Sequence, residues 1–114
     1  MEIDPWLARA AARRPEAVAL ETPEQRLTYR ELLMAATRAA GRLVLRGAAP
    51  GDRVGLTLPA GRDFVVAFHA CLLLRAPAMP VDPRLGGRER KQLLRGAEVV
   101  VTRPLPEDGR TRPD

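Results

Sequence analysis

From residue 53 onward the chain alternates between short β-rich runs and helical runs, and no other feature restricts its fold as much. RVGLTL (53–58) reads as a strand, and residues 59–62 lead into an apolar helix that ends near Leu74. Residues 78–81 read as a second strand, 82–87 as a loop, and 88–95 as a helix closed by Gly96. Residues 98–102, rich in valine, make a third strand. Strand, helix, strand, helix, strand in this order means a parallel sheet with right-handed crossovers and helices packed on it. The expected fold class is α/β, with no internal repeat.

The first fifty residues prepare that unit. Asp4 and Pro5 suit an N-cap and a first helical position, and WLARAAARR (6–14) continues the helix up to Pro15. Residues 17–21 and 26–28 read as two short strands around a turn at 22–25. LTYREL (27–32) then carries a capping box. Thr28 can accept a hydrogen bond from the Glu31 backbone, and the Glu31 carboxylate can reach back to the Thr28 N–H. In the helix that follows, Leu32, Ala36, Ala39 and Leu43 recur at spacings of three and four, which predicts one buried stripe. Arg38, Arg42 and Arg46 line another face, and Gly47 suits the C′ position. The proline-rich residues 103–114 offer little to bury and read as a flexible tail after a folded segment spanning 1–102.

Composition narrows the class of function. The 114 residues suffice for one domain. The net charge of +5 comes from eighteen arginines and one lysine, spread along the chain with acids between them. With four aromatic residues and no binding motif, that pattern argues against nucleic acid as a partner. The longest apolar run, 64–74, is too short to span a bilayer and is interrupted by His69, so no membrane association is expected. The N-terminus lacks a signal-peptide core, and Cys71 has no second cysteine to pair with; both suit the cytoplasm. Cys71 and His69 read as residues of a buried helix, His69 with a hydrogen bond. One histidine gives no metal cluster and no base for a nucleophile. Gly86 and Gly87 read as a turn rather than a phosphate loop. Arg84, Arg88, Lys91 and Arg95 would share one helical face if Arg84 joined the helix, a solvated face in the plain reading.

Taken together, three segments resemble the adenylate-forming superfamily of acyl-CoA synthetases, peptide-synthetase adenylation domains and luciferases. LTYREL is similar to its first motif, and GAAPGDRVGLTLP (47–59) to its Gly-x-x-Pro-Gly-Asp-Arg-Val turn and strand. LLLRAPAMPVDPRL (72–85) resembles the second motif, with Leu72, Ala76, Pro80, Asp82 and Pro83 on the pattern. The wording of 76–85 is most similar to o-succinylbenzoate–CoA ligases of menaquinone synthesis. The resemblance covers residues 5–102 and implies the N-terminal subdomain of an ATP-dependent ligase. Such a ligase converts a carboxylate and ATP to an acyl-adenylate, then transfers the acyl group to coenzyme A. Thr28, Tyr29, Glu31, Pro80, Asp82 and Pro83 are then motif residues of architectural role, and Arg84 is a candidate contact for the CoA phosphates.

Two departures from the family follow. A family glycine in the second motif is Arg75 here, which puts an arginine where a helix C-cap favours the left-handed conformation. The family's phosphate loop, ribose-binding Asp and catalytic lysine all lie downstream of the matched segment, and the lone lysine here is Lys91. The resemblance therefore implies ATP, Mg and CoA for a complete enzyme and none of them, with no catalytic residue, for this chain alone. Its partner is the remainder of a ligase or a complementary chain of a split one. A stand-alone regulatory module, or a homo-oligomer joined through an exposed sheet edge, are the alternatives.

Overall fold

The structure is a computed structural model that describes residues 6–105. The Asp4–Pro5 cap and residues 106–114 of the expected tail lie outside the described residues. In chain order the elements are α1 (Trp6–Arg13), β1 (Val18–Glu21), β2 (Arg26–Thr28), α2 (Tyr29–Leu45) and β3 (Val54–Leu56). They continue as α3 (Arg62–Leu74), β4 (Ala78–Pro80), α4 (Gly87–Leu93) and β5 (Val99–Val101). The fold is α/β, as the alternation predicts.

β1 and β2 form an antiparallel hairpin. β3, β4 and β5 form a parallel sheet in the order β4-β3-β5, with Val54, Gly55 and Leu56 level with Ala78, Met79 and Pro80 on one side. On the other side the same three residues are level with Val99, Val100 and Val101. The first crossover steps from β3 to β4 and the second steps back from β4 past β3 to β5, so right-handed connections place α3 and α4 on opposite faces of the sheet. Val54, Leu56, Val99 and Val101 are buried on the α3 face. On the other face a side chain at Gly55 would run into Leu94, just past α4.

The capping box forms as read. Glu31 N–H donates to Thr28 Oγ1 at 3.1 Å, and Thr28 N–H donates to Glu31 Oε1 at 2.9 Å. The bond from the Thr28 N–H foremost, with help from the Thr28 side chain and the Arg30 charge, holds the Glu31 carboxyl below its usual range. Leu32, Ala36, Ala39 and Leu43 are all buried, and with α3 they form the centre of the core. Both long helices end in a Schellman motif. After α2, Gly47 takes φ 98°, its N–H donating to Val44 O and that of Ala48 to Leu43 O. After α3, Arg75 takes φ 58°, and Arg75 and Ala76 donate to Leu72 O and Cys71 O. The arginine thus occupies the left-handed position that the sequence marked as unfavourable.

GAAPGD forms a type II turn. Asp52 N–H donates to Ala49 O at 3.0 Å across Pro50 and Gly51, the latter at φ 89°, and Asp52 Oδ2 accepts from Ala49 N–H at 2.9 Å. Beyond β5, Thr102, Arg103 and Pro104 are exposed, and Leu105 is buried in the core although it falls in the segment read as tail.

Candidate functional site

The C-terminal ends of β3 and β4 open into a cleft of about 490 Å³, lined by Leu58, Pro59, Ala60, Phe64, Pro80, Val81, Asp82, Pro83 and Arg84. Carboxyl ends of parallel strands are where open α/β sheets present ligand sites. The walls are apolar, and the one charged feature is at the lip.

The second motif builds that lip. Val54 N–H donates to Pro77 O and Val81 N–H to Leu56 O, so alternate residues Ala78 and Pro80 turn their backbone away from β3. An outward position on an edge strand is one where a missing N–H costs no ladder bond, which explains Pro80. Asp82 and Pro83 then open a β-turn, closed by Leu85 N–H donating to Asp82 O at 3.2 Å. Asp at the first position and Pro at the second are the residues such a turn favours.

Asp82 Oδ1 accepts from Arg84 N–H at 2.9 Å. The Arg84 side chain folds back on the same carboxylate, Nε donating to Oδ1 at 3.1 Å and Nη2 to Oδ2 at 2.9 Å. This fork pushes the Asp82 carboxyl below its ordinary range and the Arg84 guanidinium further up. It uses two of the five guanidinium N–H donors and leaves three facing solvent. The Arg84 side chain is 89% exposed.

Arg84 stands apart from the other basic residues. α4 begins at Gly87, so Arg84 belongs to the turn and does not extend the helical face. Arg88, Lys91 and Arg95 line a separate groove with Gly87 and Gln92. Gly86 is the N-cap of that short helix and supplies no side-chain cap. Tyr29 is half-buried; its N–H donates to Ala17 O, and its ring meets Trp6 edge-on at 5.7 Å. It ties hairpin, α1 and α2 together, an architectural role like those of Thr28 and Glu31.

His69 corrects the reading of a hydrogen-bonded core residue. It is half-buried, its Nδ1 is covered without a hydrogen-bond partner, and its ring lies between Trp6 at 6.0 Å and Phe68 at 5.9 Å. Burial lowers its pKa. Cys71 is fully buried, and burial pushes its thiol up to about 11, so it is an inert core residue. Sequence reasoning did not foresee that Tyr29, Trp6, His69, Phe68 and Phe64 would form one unbroken run of ring contacts. The spacing of 64, 68 and 69 was visible, but not the approach of Trp6 from another helix.

Among the described residues no three His, Cys, Asp or Glu side chains converge to hold a metal ion, and no described helix is long and apolar enough to cross a membrane.

The fold and the two motifs that frame the cleft define an adenylate-forming segment. The sequence profile of the family described as AMP-binding enzyme matches residues 7–109, and the chain belongs to that family. It is 38% identical over 98 residues to phosphinothricin tripeptide synthetase PhsC of Streptomyces viridochromogenes, covering 84% of this chain and 9% of that protein. It is 34% identical over 85 residues to 2-succinylbenzoate–CoA ligase of Bacillus subtilis, covering 75% of this chain and 18% of the ligase. Among solved structures it is similar to the Bacillus subtilis o-succinylbenzoate coenzyme A synthetase in complex with AMP. There the TM-score is 0.82 at 31% identity, over 88% of this chain and 27% of that one. The same synthetase is also known in complex with ATP and magnesium. The chain thus corresponds to an N-terminal portion of an AMP-forming ligase and spans a small part of the proteins it matches.

Proposed function

We propose that the chain supplies the N-terminal segment of an ATP-dependent acyl-CoA ligase and does not catalyse alone. In this reading a carboxylate attacks the α-phosphorus of ATP, pyrophosphate leaves, and the CoA thiol then displaces AMP from the acyl-adenylate. The observation that carries it is the Pro80–Arg84 turn at the carboxyl ends of β3 and β4, on a fold similar to a CoA synthetase. The chain's own part is to set the floor of the cleft and to hold Arg84 at its lip. Asp82 orients that guanidinium, and the three donors left over suit a phosphate of CoA. The carboxylate favoured by the likeness is 2-succinylbenzoate.

The test is reconstitution with the downstream part of the Bacillus subtilis ligase. Pyrophosphate exchange dependent on 2-succinylbenzoate is the expected result, and its absence with every carboxylate tried sinks the reading. Arg84→Ala should leave that exchange unchanged and raise the KM for CoA on the order of tenfold. The isolated chain should show no heat of ATP binding in calorimetry; micromolar affinity would contradict its proposed role. A second reading, a segment of a peptide-synthetase adenylation domain, rests on the 38% identity to PhsC. Exchange dependent on an amino acid in place of 2-succinylbenzoate would select it.

A further inference from the structure

α1 turns Leu7 and Ala11 into the core, and its outer side carries a different chemistry. Trp6, Arg9, Ala10 and Arg13 recur at i, i+3, i+4 and i+7, which aligns them on one helical face. With Arg14 and, from α2, Tyr29 they line a groove of about 610 Å³. The aromatic part of the lining is fixed in place, since Trp6 stacks on His69 at 6.0 Å and meets Tyr29 edge-on. The rest is cationic, with Arg9, Arg13 and Arg14 all exposed. α1 contains no acidic residue, and none lines the groove. Neither Arg13 nor Arg14 has an ion pair or a side-chain hydrogen bond among the described residues. The helix dipole favours a cation at Arg13, in the last turn of α1. It does not explain Arg9 a turn earlier, or the aromatic pair beside them.

The charge balance of this face names its occupant. Three guanidiniums with no carboxylate among them favour an anionic partner, and the arginine fork matches a carboxylate. Trp6 and Tyr29 add a flat apolar surface on which an apolar side chain of that partner can lie. α1 has eight residues, so the groove runs about 12 Å, the length of about four residues of extended peptide. Past its end the sign reverses: Glu16, two residues after Arg14, is exposed and paired with Arg30 at 3.4 Å. A long polyanion or an anionic membrane surface would meet that carboxylate as well, whereas a short segment stops before it. Trp6, already packed against two rings, offers a wall rather than a side chain free to insert into a bilayer.

We infer that the groove between α1 and Tyr29 is a docking site for a short acidic segment of another protein, one with an aromatic or aliphatic residue among its carboxylates. The inference does not depend on the ligase reading, because the groove shares no residue with the cleft at β3 and β4.

Trp6 is the only tryptophan of the chain, so its fluorescence reports on the groove directly. The experiment titrates the full chain with the peptide DEFDE and with its uncharged counterpart NQFNQ, at about 50 mM salt. The expected result is a saturable change in emission with DEFDE and none with NQFNQ. The affinity should fall on the order of tenfold in Arg13→Gln/Arg14→Gln, and fall again in the wild type as salt is raised to about 200 mM. Both arginines are exposed, so the double variant keeps the fold, which circular dichroism checks. Arg88→Gln/Lys91→Gln removes equal charge from the separate groove on α4 and should leave binding unchanged. A loss of equal size in that variant reduces the effect to net charge and overturns the inference. So does a response to anionic lipid vesicles or to oligothymidylate with none to DEFDE, which assigns the groove to a membrane or a nucleic acid. No response of the wild-type chain to any of these probes overturns it as well.

Discussion

α3 and α4 perform the same topological task, each carrying the chain from one parallel strand to another, yet they are built from opposite materials. α3 has 13 residues, four of them buried, and meets α2, β3 and β4. α4 has seven residues, none buried, and reads GRERKQL. One crossover is core on its inner side and apolar on its outer side; the other is a polar cover held at its end by Leu94 against Gly55. A parallel sheet needs both faces covered. In this molecule one face is covered by a two-helix layer and the other by a single short helix.

The comparison breaks most readily at the core. Leu43→Ala, on the buried stripe of α2, should cost about 2–5 kcal/mol in urea unfolding, while Leu93→Ala on α4 should stay within about 0.5 kcal/mol. Equal losses would mean that α4 is as much a part of the core as the α2–α3 layer. A smaller effect compares the two helix ends. Arg75→Gly should stabilise by about 1 kcal/mol by relieving a left-handed arginine, and Gly47→Ala, in the matching position after α2, should destabilise by about as much. If both substitutions destabilise, the Arg75 side chain contributes more at its end of α3 than its backbone costs.

The smallest effect is one of pH. His69 has a folded pKa below its ordinary value of 6.5 because burial disfavours the imidazolium. The unfolded chain therefore takes up a proton first as pH falls. Stability from this source is complete above 6.5 and lost as pH drops from there through the folded value. Stability measured from pH 7 down to 5 should decline, and His69→Phe should flatten that decline. The Glu31 and Asp82 carboxyls, both held below their ordinary values, act only at lower pH: their contribution is full above about 4.5 and fades beneath it. A decline at pH 6 that survives His69→Phe would leave the covered imidazole without a role in it.

Where interactions are local, the sequence alone was decisive. The capping box of Thr28 and Glu31, the turn at Pro50 and Gly51 and the buried stripe of α2 each depend on residues within a few positions of one another, so spacing and residue type specify them. The strand-helix alternation fixed a parallel α/β unit for the same reason, since crossover handedness follows from local twist. The family resemblance lay in these same local pieces.

Three features were settled only by the structure, the first two because they join residues far apart in the chain. Packing of α1 on α2 brings Trp6 over His69 and completes the aromatic run, which no periodicity within α3 encodes. Arg46 reaches the Val100 carbonyl across 54 positions and blunts an edge that the sequence had left open. Arg84, aligned on paper with Arg88, Lys91 and Arg95, is drawn away from them because its carboxylate partner is two residues back and the helix starts only at Gly87. Sequence determines what a short stretch can form; only the packed chain decides which of its side chains meet.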